Sequence, residues 1–184
     1  ASGPRRLAYG AARALVLGMK VVMPNGDLVS AGGKTVKNVA GYDLDKLFIG
    51  SLGTLGVVVE VAFRLLPMPE KRATLLAAFP SLEQATSMVT QLLKSQYLPT
   101  ALEVLNPRAL EIGGLGQSTF ALVIALEGVT EAVERQVQEL SELCQTGGSP
   151  AVGVATGQAE TALWLAVRAR PKKIAARSPG VVST

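Results

Sequence analysis

Histidine is absent from the 184 residues, and cysteine occurs once, at Cys144. The first absence excludes Ser–His–Asp and Cys–His nucleophilic machinery, imidazole-built zinc sites and histidine general bases. The second excludes an internal disulfide, a CxxC redox pair, a cysteine-built zinc site and an iron–sulfur cluster. Acid–base chemistry must rest on Lys, Asp, Glu or Tyr, or be borrowed from elsewhere, and no metal site is expected. Aromatic residues make up 4% and charged residues 17% of the chain. No aromatic-rich strand accompanies the basic clusters Arg5–Arg6 and Lys172, Lys173 and Arg177. The net charge of +4 therefore reads as a solvated basic surface and not as a nucleic-acid site. No apolar run approaches the roughly 20 residues of a membrane helix, so no direct membrane span is expected. No charged-then-apolar leader opens the chain, so no secretory signal is expected either.

What is present can fill a core: 48% of the residues are hydrophobic, which excludes wholesale disorder. Composition shifts at Pro67–Met68–Pro69, from a glycine-rich, strand-like stretch to helical periodicity. A boundary is placed there. Before it, Lys20–Met23 and Leu28–Ser30 flank Pro24–Asn25–Gly26–Asp27, a turn signal, and read as a hairpin. Val57–Leu66 reads as a long strand, apolar at every odd position, with Glu60 and Arg64 on the other face.

After the boundary, Ala73–Phe79 reads as a strand. Ser81 with Gln84 forms a capping box for a helix that turns Leu82, Ala85, Met88, Val89, Leu92 and Leu93 to one face. Ala101–Leu105 and Thr119–Glu127 read as strands. A helix opening at Thr130 buries Val133, Val137, Leu140 and Cys144 and stops at Gly147. Ala151–Thr156 reads as a fourth strand, and Glu160–Arg170 as a helix with Leu163, Trp164 and Val167 inward. The order β-α-β-β-α-β is that of a ferredoxin-like sandwich, with helices on one face of an antiparallel sheet. The basic stretch 171–184 is expected to be an extended or disordered tail.

Three motifs could carry chemistry. Gly32–Gly33–Lys34–Thr35 resembles the end of a phosphate loop but has Leu28 where the pattern needs glycine, and reads as a chance match. Gly50–Ser51–Leu52–Gly53–Thr54–Leu55–Gly56 runs into a strand with G-x-x-G-x-x-G spacing, unlike the dinucleotide fingerprint. It is either a plain turn or a loop whose amides approach a ligand closely. Lys37–Leu44 packs a cation, Asn38, Tyr42 and Asp43 into one irregular stretch, either lining a site or satisfying local turns.

Ala1–Ser2–Gly3, Arg6, Tyr9–Gly10, Arg13, Val16–Leu17–Gly18, Lys37–Leu44 and Gly50–Gly56 before a strand and Pro67 fall in one order. That order resembles the FAD-linked oxidases of the vanillyl-alcohol oxidase type, and within them the glycolate oxidase E-subunit branch. The resemblance implies an α+β chain. Residues 1–67 would be the C-terminal portion of a PCMH-type FAD-binding domain, mainly antiparallel, and residues 68–170 a ferredoxin-like cap. The implied cofactor is non-covalent FAD, held by Ala1, Ser2, Gly3 and Pro4 in one turn and by Ser51, Leu52, Gly53, Thr54, Leu55, Gly56 and Val57 in a second. No catalytic residue is implied. Relatives commonly carry Asp where Ala14 stands, and many carry Glu where Leu52 stands. Histidine-held metals and histidine-linked flavin are excluded.

Against such relatives the chain is expected to be a fragment, and tight FAD binding by it alone is not expected. The implied function is the FAD-binding part of a 2-hydroxy-acid oxidase, glycolate being the first candidate, working with other glycolate-oxidase-type subunits. Exposed apolar surface would favour self-association. Its place would be cytoplasmic, with membrane association only through partner subunits. Two alternatives remain: an assembly subunit that binds FAD weakly or not at all, and a ligand-sensing module in residues 73–156.

Overall fold

The computed structural model describes residues 3–33, 43–115 and 119–177. The chain forms two units, Ala1–Met68 and Pro69–Thr184, so the division falls at the proline pair where composition shifts. In the first unit, one-turn helices α1 (Arg6–Tyr9) and α2 (Ala12–Leu15) lead into β1 (Val16–Val22), and β2 (Leu28–Gly32) returns beside it. The turn is the expected one. Gly26 sits at φ 88°, its amide donates to Met23 O at 2.9 Å, and Met23 N–H donates to Asp27 O at 2.8 Å. A second constraint lies at the far end of the hairpin. A Cβ on Gly32, at φ 73°, would stand 2.4 Å from Leu17 O, so the backbone contact there admits only glycine.

After α3 (Asp45–Phe48), strand β3 (Val57–Phe63) pairs antiparallel with β1, giving the order β2-β1-β3. Val16, Met19, Val21 and Ala31 form the core, with Met23, Phe48 and Ile49 against it. The expected strand to Leu66 stops at Phe63 because its partner runs out. β1 begins at Val16, and α2 occupies the residues before it; the last bond is Arg64 N–H to Leu15 O at 2.8 Å. The apolar residues of β3 are not buried. Val57 is 63%, Val59 56% and Phe63 57% exposed, and the register shift at Lys20/Val21 puts Val57, opposite Val22, on the face away from Val61 and Phe63.

The second unit comprises β4 (Lys71–Phe79), α4 (Leu82–Lys94), β5 (Ala101–Leu105), α5 (Pro107–Gly113), β6 (Phe120–Gly128), α6 (Thr130–Thr146), β7 (Val152–Ala155) and α7 (Gly157–Arg177). The sheet order is β5-β6-β4-β7 with every neighbour antiparallel, the ferredoxin-like arrangement. Alternation along β4 feeds two cores. Ala73, Leu75, Ala77 and Phe79 meet Ala85, Met88 and Leu92 of α4 and Val133, Leu140 and Cys144 of α6. On the opposite face, Leu76 packs with Ala121, Val123 and Ala125 against Leu110 of α5 and Leu163, Trp164 and Val167 of α7. Helices thus cover both faces, where one was expected. Trp164 Nε1 donates to Thr74 Oγ1 at 2.9 Å, satisfying both polar groups inside the second core.

Local signals explain most boundaries. Ser81 Oγ accepts from Gln84 N–H at 3.3 Å, the first half of a capping box. Leu82 and Leu93, expected on the buried face of α4, are 46% and 57% exposed, since the sheet contacts a narrower stripe than the apolar arc. Helix α5, missing from the expected order, has Asn106 Oδ1 accepting from Ala109 N–H at 2.7 Å, Pro107 at its first position and a left-handed Gly114 at its end. Val129 gives α6 no side-chain cap; Glu70 Oε2, 60 residues away in sequence, accepts from Thr130 N–H at 3.2 Å instead. At the end of α6, Gly148 takes the left-handed conformation at φ 96°. A Cβ at Gly147 would meet Met88 Cε, the end of a flexible side chain that can step aside, and Leu143 O at 3.2 Å. Helix α7 continues past Pro171 to Arg177, so the expected extended tail is helical over its first half. The run Lys-Lys-Ile-Ala-Ala-Arg suits the last turns of a helix and outweighs the one hydrogen bond a proline removes. Residues 178–184 lie outside the described residues.

Candidate functional site

The glycine-rich loop is placed by two anchors. α3 ends at Phe48, whose carbonyl accepts from Ser51 N–H at 3.1 Å, and Gly50 turns the chain at φ 92°. Thr54 then closes a tight turn on Ser51 O through its amide at 3.0 Å and its hydroxyl at 2.7 Å. Both central residues have positive φ, Leu52 at 53° and Gly53 at 80°, the signature of a type I′ turn. Glycine suits this position; leucine does not. The left-handed region costs Leu52 about 1–2 kcal/mol, and it is the only non-glycine residue with positive φ among those described. Gly56 seats the loop on the sheet, where a Cβ would meet Val21 Cγ1 at 2.6 Å and Val22 O at 2.9 Å.

The upper part of the loop stands open. A Cβ at Gly50 or Gly53 would meet nothing within 4 Å, and Leu52 is 96% exposed. The amides of Leu52, Gly53 and Leu55 have no acceptor among the described residues. Beside the turn is a shallow cleft of about 520 Å³, lined by Gly50, Ser51, Thr54 and Leu55 together with Arg13, Asp43, Lys46, Leu47 and Ile49. Arg13 reaches across it, Nη1 donating to Lys46 O at 2.8 Å, while Lys46 Nζ lies 3.5 Å from Asp43 Oδ2. Two cations against one carboxylate leave the cleft positive. Leu55 and the two cations share this wall, and the Leu52 and Gly53 amides stand at the exposed tip of the adjoining turn; together they suit an anionic group approached by backbone donors.

The sequence-expected residues separate on this structure. Ser51, Thr54 and Leu55 line the cleft, Leu52 and Gly53 form the exposed tip of the turn and do not line it, Gly56 lies buried beneath, and Val57 opens β3 opposite Val22. Gly3 and Pro4 form a turn closed by Arg6 N–H on Gly3 O at 3.0 Å and do not line the cleft. Ala1, Ser2 and the stretch 34–42, with Lys34, Lys37 and Asn38, lie outside the described residues. Arg13 and Lys46 carried no expected role. Their signals were the arginine of Tyr9–Gly10–x–x–Arg13 and a lysine one turn before the glycine loop.

Other chemistry is scarce among the described residues. No cluster of acidic or sulfur ligands could hold a metal, and no helix is long and apolar enough to cross a membrane. Burial pushes the Cys144 thiol up to about 11, away from the thiolate form that a nucleophile needs. Tyr97 is raised by desolvation and by Glu139, whose carboxylate is held low by Arg135 at 2.7 Å. In the second unit an open cleft of about 660 Å³ lies between the start of β4 and the first turns of α7, with Glu70, Arg72, Gln158 and Thr161 on its walls.

An open glycine turn feeding an antiparallel sheet, followed by a ferredoxin-like unit, defines a two-part α+β class. The family model for FAD linked oxidases, C-terminal domain, matches residues 68–183, and the chain belongs to that family, whose cofactor is FAD. It is 38% identical over 181 residues to the glycolate oxidase subunit GlcD of Bacillus subtilis, covering 95% of this chain and 38% of that protein. A D-lactate dehydrogenase of Archaeoglobus fulgidus is 41% identical over 113 residues, 61% of this chain and 25% of that one. The fold matches alkyldihydroxyacetonephosphate synthase at a TM-score of 0.73 and 17% identity, over 96% of this chain and 36% of that structure. It matches p-cresol methylhydroxylase at 0.61 and 18%, over 82% and 37%. The chain spans 38% of the length of the GlcD relative. The branch expected from the motifs was the E subunit; the glycolate oxidase relative matched over nearly the whole chain is a D subunit.

Proposed function

We propose that this chain supplies one wall of the FAD site, and a cap, to a flavin-dependent oxidase or dehydrogenase of 2-hydroxy acids, with glycolate or D-lactate as substrate. The observation that carries the reading is the open turn at Ser51–Thr54. Among the described residues its amides at Leu52, Gly53 and Leu55 are unclaimed and the space above Gly50 and Gly53 is clear, so the residues fit a bulky dinucleotide cofactor. Leu52, Gly53 and Leu55 would donate main-chain hydrogen bonds to it. Arg13 and Lys46 would offset the negative charge of its pyrophosphate, and Gly56 would fix the turn's height over β1. FAD, when bound, supplies hydride acceptance from the substrate's α-carbon. The chain's own part is to bind, orient and exclude water.

Similarity to glycolate oxidase GlcD and to D-lactate dehydrogenases supports the substrate class. Partnership with other glycolate-oxidase-type subunits, and a cytoplasmic location with membrane association made only through them, belong to the same proposal. The test is a chimera in which this chain replaces the matching 181 residues of the Bacillus subtilis relative. A yellow protein whose visible flavin band bleaches on adding glycolate or D-lactate supports the reading. A yellow protein whose band no 2-hydroxy acid bleaches overturns the substrate class. A folded, colourless chimera that still binds partner subunits supports the assembly role instead.

A further inference from the structure

We propose that Asn25 is a modification site, where the chain deamidates itself to aspartate and isoaspartate at a rate set by the hydrogen bonds of Asp27. The chain has three asparagines, Asn25, Asn38 and Asn106. Cyclic imide formation uses the backbone nitrogen of the following residue as nucleophile, and the three differ there. Pro107 has no N–H to lose. Val39 crowds its nitrogen with a β-branched side chain. Gly26 carries no side chain, so its nitrogen is bare.

The step balances with water as the only co-reactant, and nothing is oxidised or reduced. The Gly26 amide loses its proton to solvent base, and its nitrogen attacks Asn25 Cγ. The N–Cγ bond forms, the Cγ–Nδ2 bond breaks, and Nδ2 leaves as ammonia with a proton from water. Water then opens the cyclic imide. Attack at Cγ gives aspartate; attack at the main-chain carbonyl gives isoaspartate, with an extra methylene in the backbone.

The folded turn opposes the first step with groups drawn from Met23 to Asp27 alone. The nucleophile's proton is held, Gly26 N–H donating to Met23 O at 2.9 Å. Asn25 Oδ1 accepts from Asp27 N–H at 3.2 Å, and Nδ2 donates to Asp27 Oδ2 at 2.7 Å, an Asx turn with a second tie. Both ends of the side-chain amide are thus bound to Asp27, which fixes the torsions that would carry Cγ onto Gly26 N. Ring closure must wait until the turn opens, a local event far less costly than unfolding the unit. The product matters for the strand below. Isoaspartate would lengthen the chain between Met23 and Asp27, whose N–H···O bond of 2.8 Å closes the hairpin. Val22 O and Met23 Sδ would lie 2.9 and 3.7 Å from a Cβ on Gly56, so modification loosens the strand end on which the glycine loop sits.

Incubation of the 184-residue chain at mildly alkaline pH tests this. Trypsin cuts after Lys20 and Lys34 and releases residues 21–34, which contain Asn25 and no other asparagine. Mass spectrometry of that peptide distinguishes amide, aspartate and isoaspartate. The native chain is expected to react at Asn25 at least about tenfold more slowly than the same chain in guanidinium, with Asn38 and Asn106 unchanged. Asp27→Ala should speed the native reaction about two- to tenfold, with an unchanged circular dichroism melting curve and an unchanged rate in guanidinium. Asp27→Asn keeps an acceptor oxygen and should stay near the wild-type rate. A native chain unmodified while the guanidinium sample reacts, or equal rates in the two, overturns the proposal. So does an Asp27→Ala rate no higher than wild type, or Asp27→Asn reacting as fast as Asp27→Ala.

Discussion

Gly56→Ala places one methyl group where the loop meets the sheet. The new Cβ would lie 2.6 Å from Val21 Cγ1 and 2.9 Å from Val22 O. Val21 is fully buried in the first unit's small core, and a backbone carbonyl cannot step aside, so the loop must lift or β1 must shift. Overpacking of this kind costs about 1–3 kcal/mol. The natural comparison is Gly53→Ala three residues earlier. There the methyl meets nothing, and the penalty is backbone strain at φ 80° alone, about 1 kcal/mol. Amide hydrogen exchange in β1 and β3 separates the two. Gly56→Ala should accelerate exchange there by about five- to a hundredfold, whereas Gly53→Ala should change it by less. Equal protection in both variants, or greater loss in Gly53→Ala, would refute the argument that Gly56 is the loop's seat.

Three further outcomes are expected. Trp164→Phe shrinks the buried indole to a phenyl ring and removes the donor to Thr74 Oγ1; the lost hydrogen bond should cost about 1–2 kcal/mol in urea unfolding, the space left by the smaller ring adds to it, and Thr74→Val in the same chain should recover only the hydrogen-bond part. Cys144 should resist a thiol-specific reagent in the native protein at pH 8 and react once the chain unfolds. Its folded value is raised to about 11 from 9.0, so the unfolded state ionises first and stability should fall as pH rises from about 9 to 11. Cys144→Ala should flatten that part of the profile. Leu52→Asn relieves a left-handed leucine and should raise thermal stability by about 0.5–1 kcal/mol.

The second unit was the more legible half because its elements are long and periodic. The residues read as inward on α6 and α7 are buried or half-buried in the structure. α5 escaped notice because two turns give no periodicity, although Asn106, Pro107 and Gly114 mark both its ends. The alternation of β3 holds from Glu60 to Phe63, but the register shift at Lys20/Val21 moves Val57, read as sharing the face of Val61, to the other side, and alternation carries no information on whether another layer covers either face. Arg13 and Lys46, 33 residues apart, meet only through the fold. Gly147 and Gly148 show the same limit at small scale. A glycine stop was readable, but which of the two turns left-handed and which lies against Met88 depends on packing across the helix pair.

The account rests on the amides at the rim of the Ser51–Thr54 turn meeting FAD. Nitrogen-15 spectra of the 184-residue chain titrated with FAD read those amides one by one, even when binding is weak. Saturating shifts concentrated at Leu52, Gly53 and Leu55, and reduced in Arg13→Ala, are the predicted result. Shifts that saturate elsewhere while these three amides stay still would contradict it.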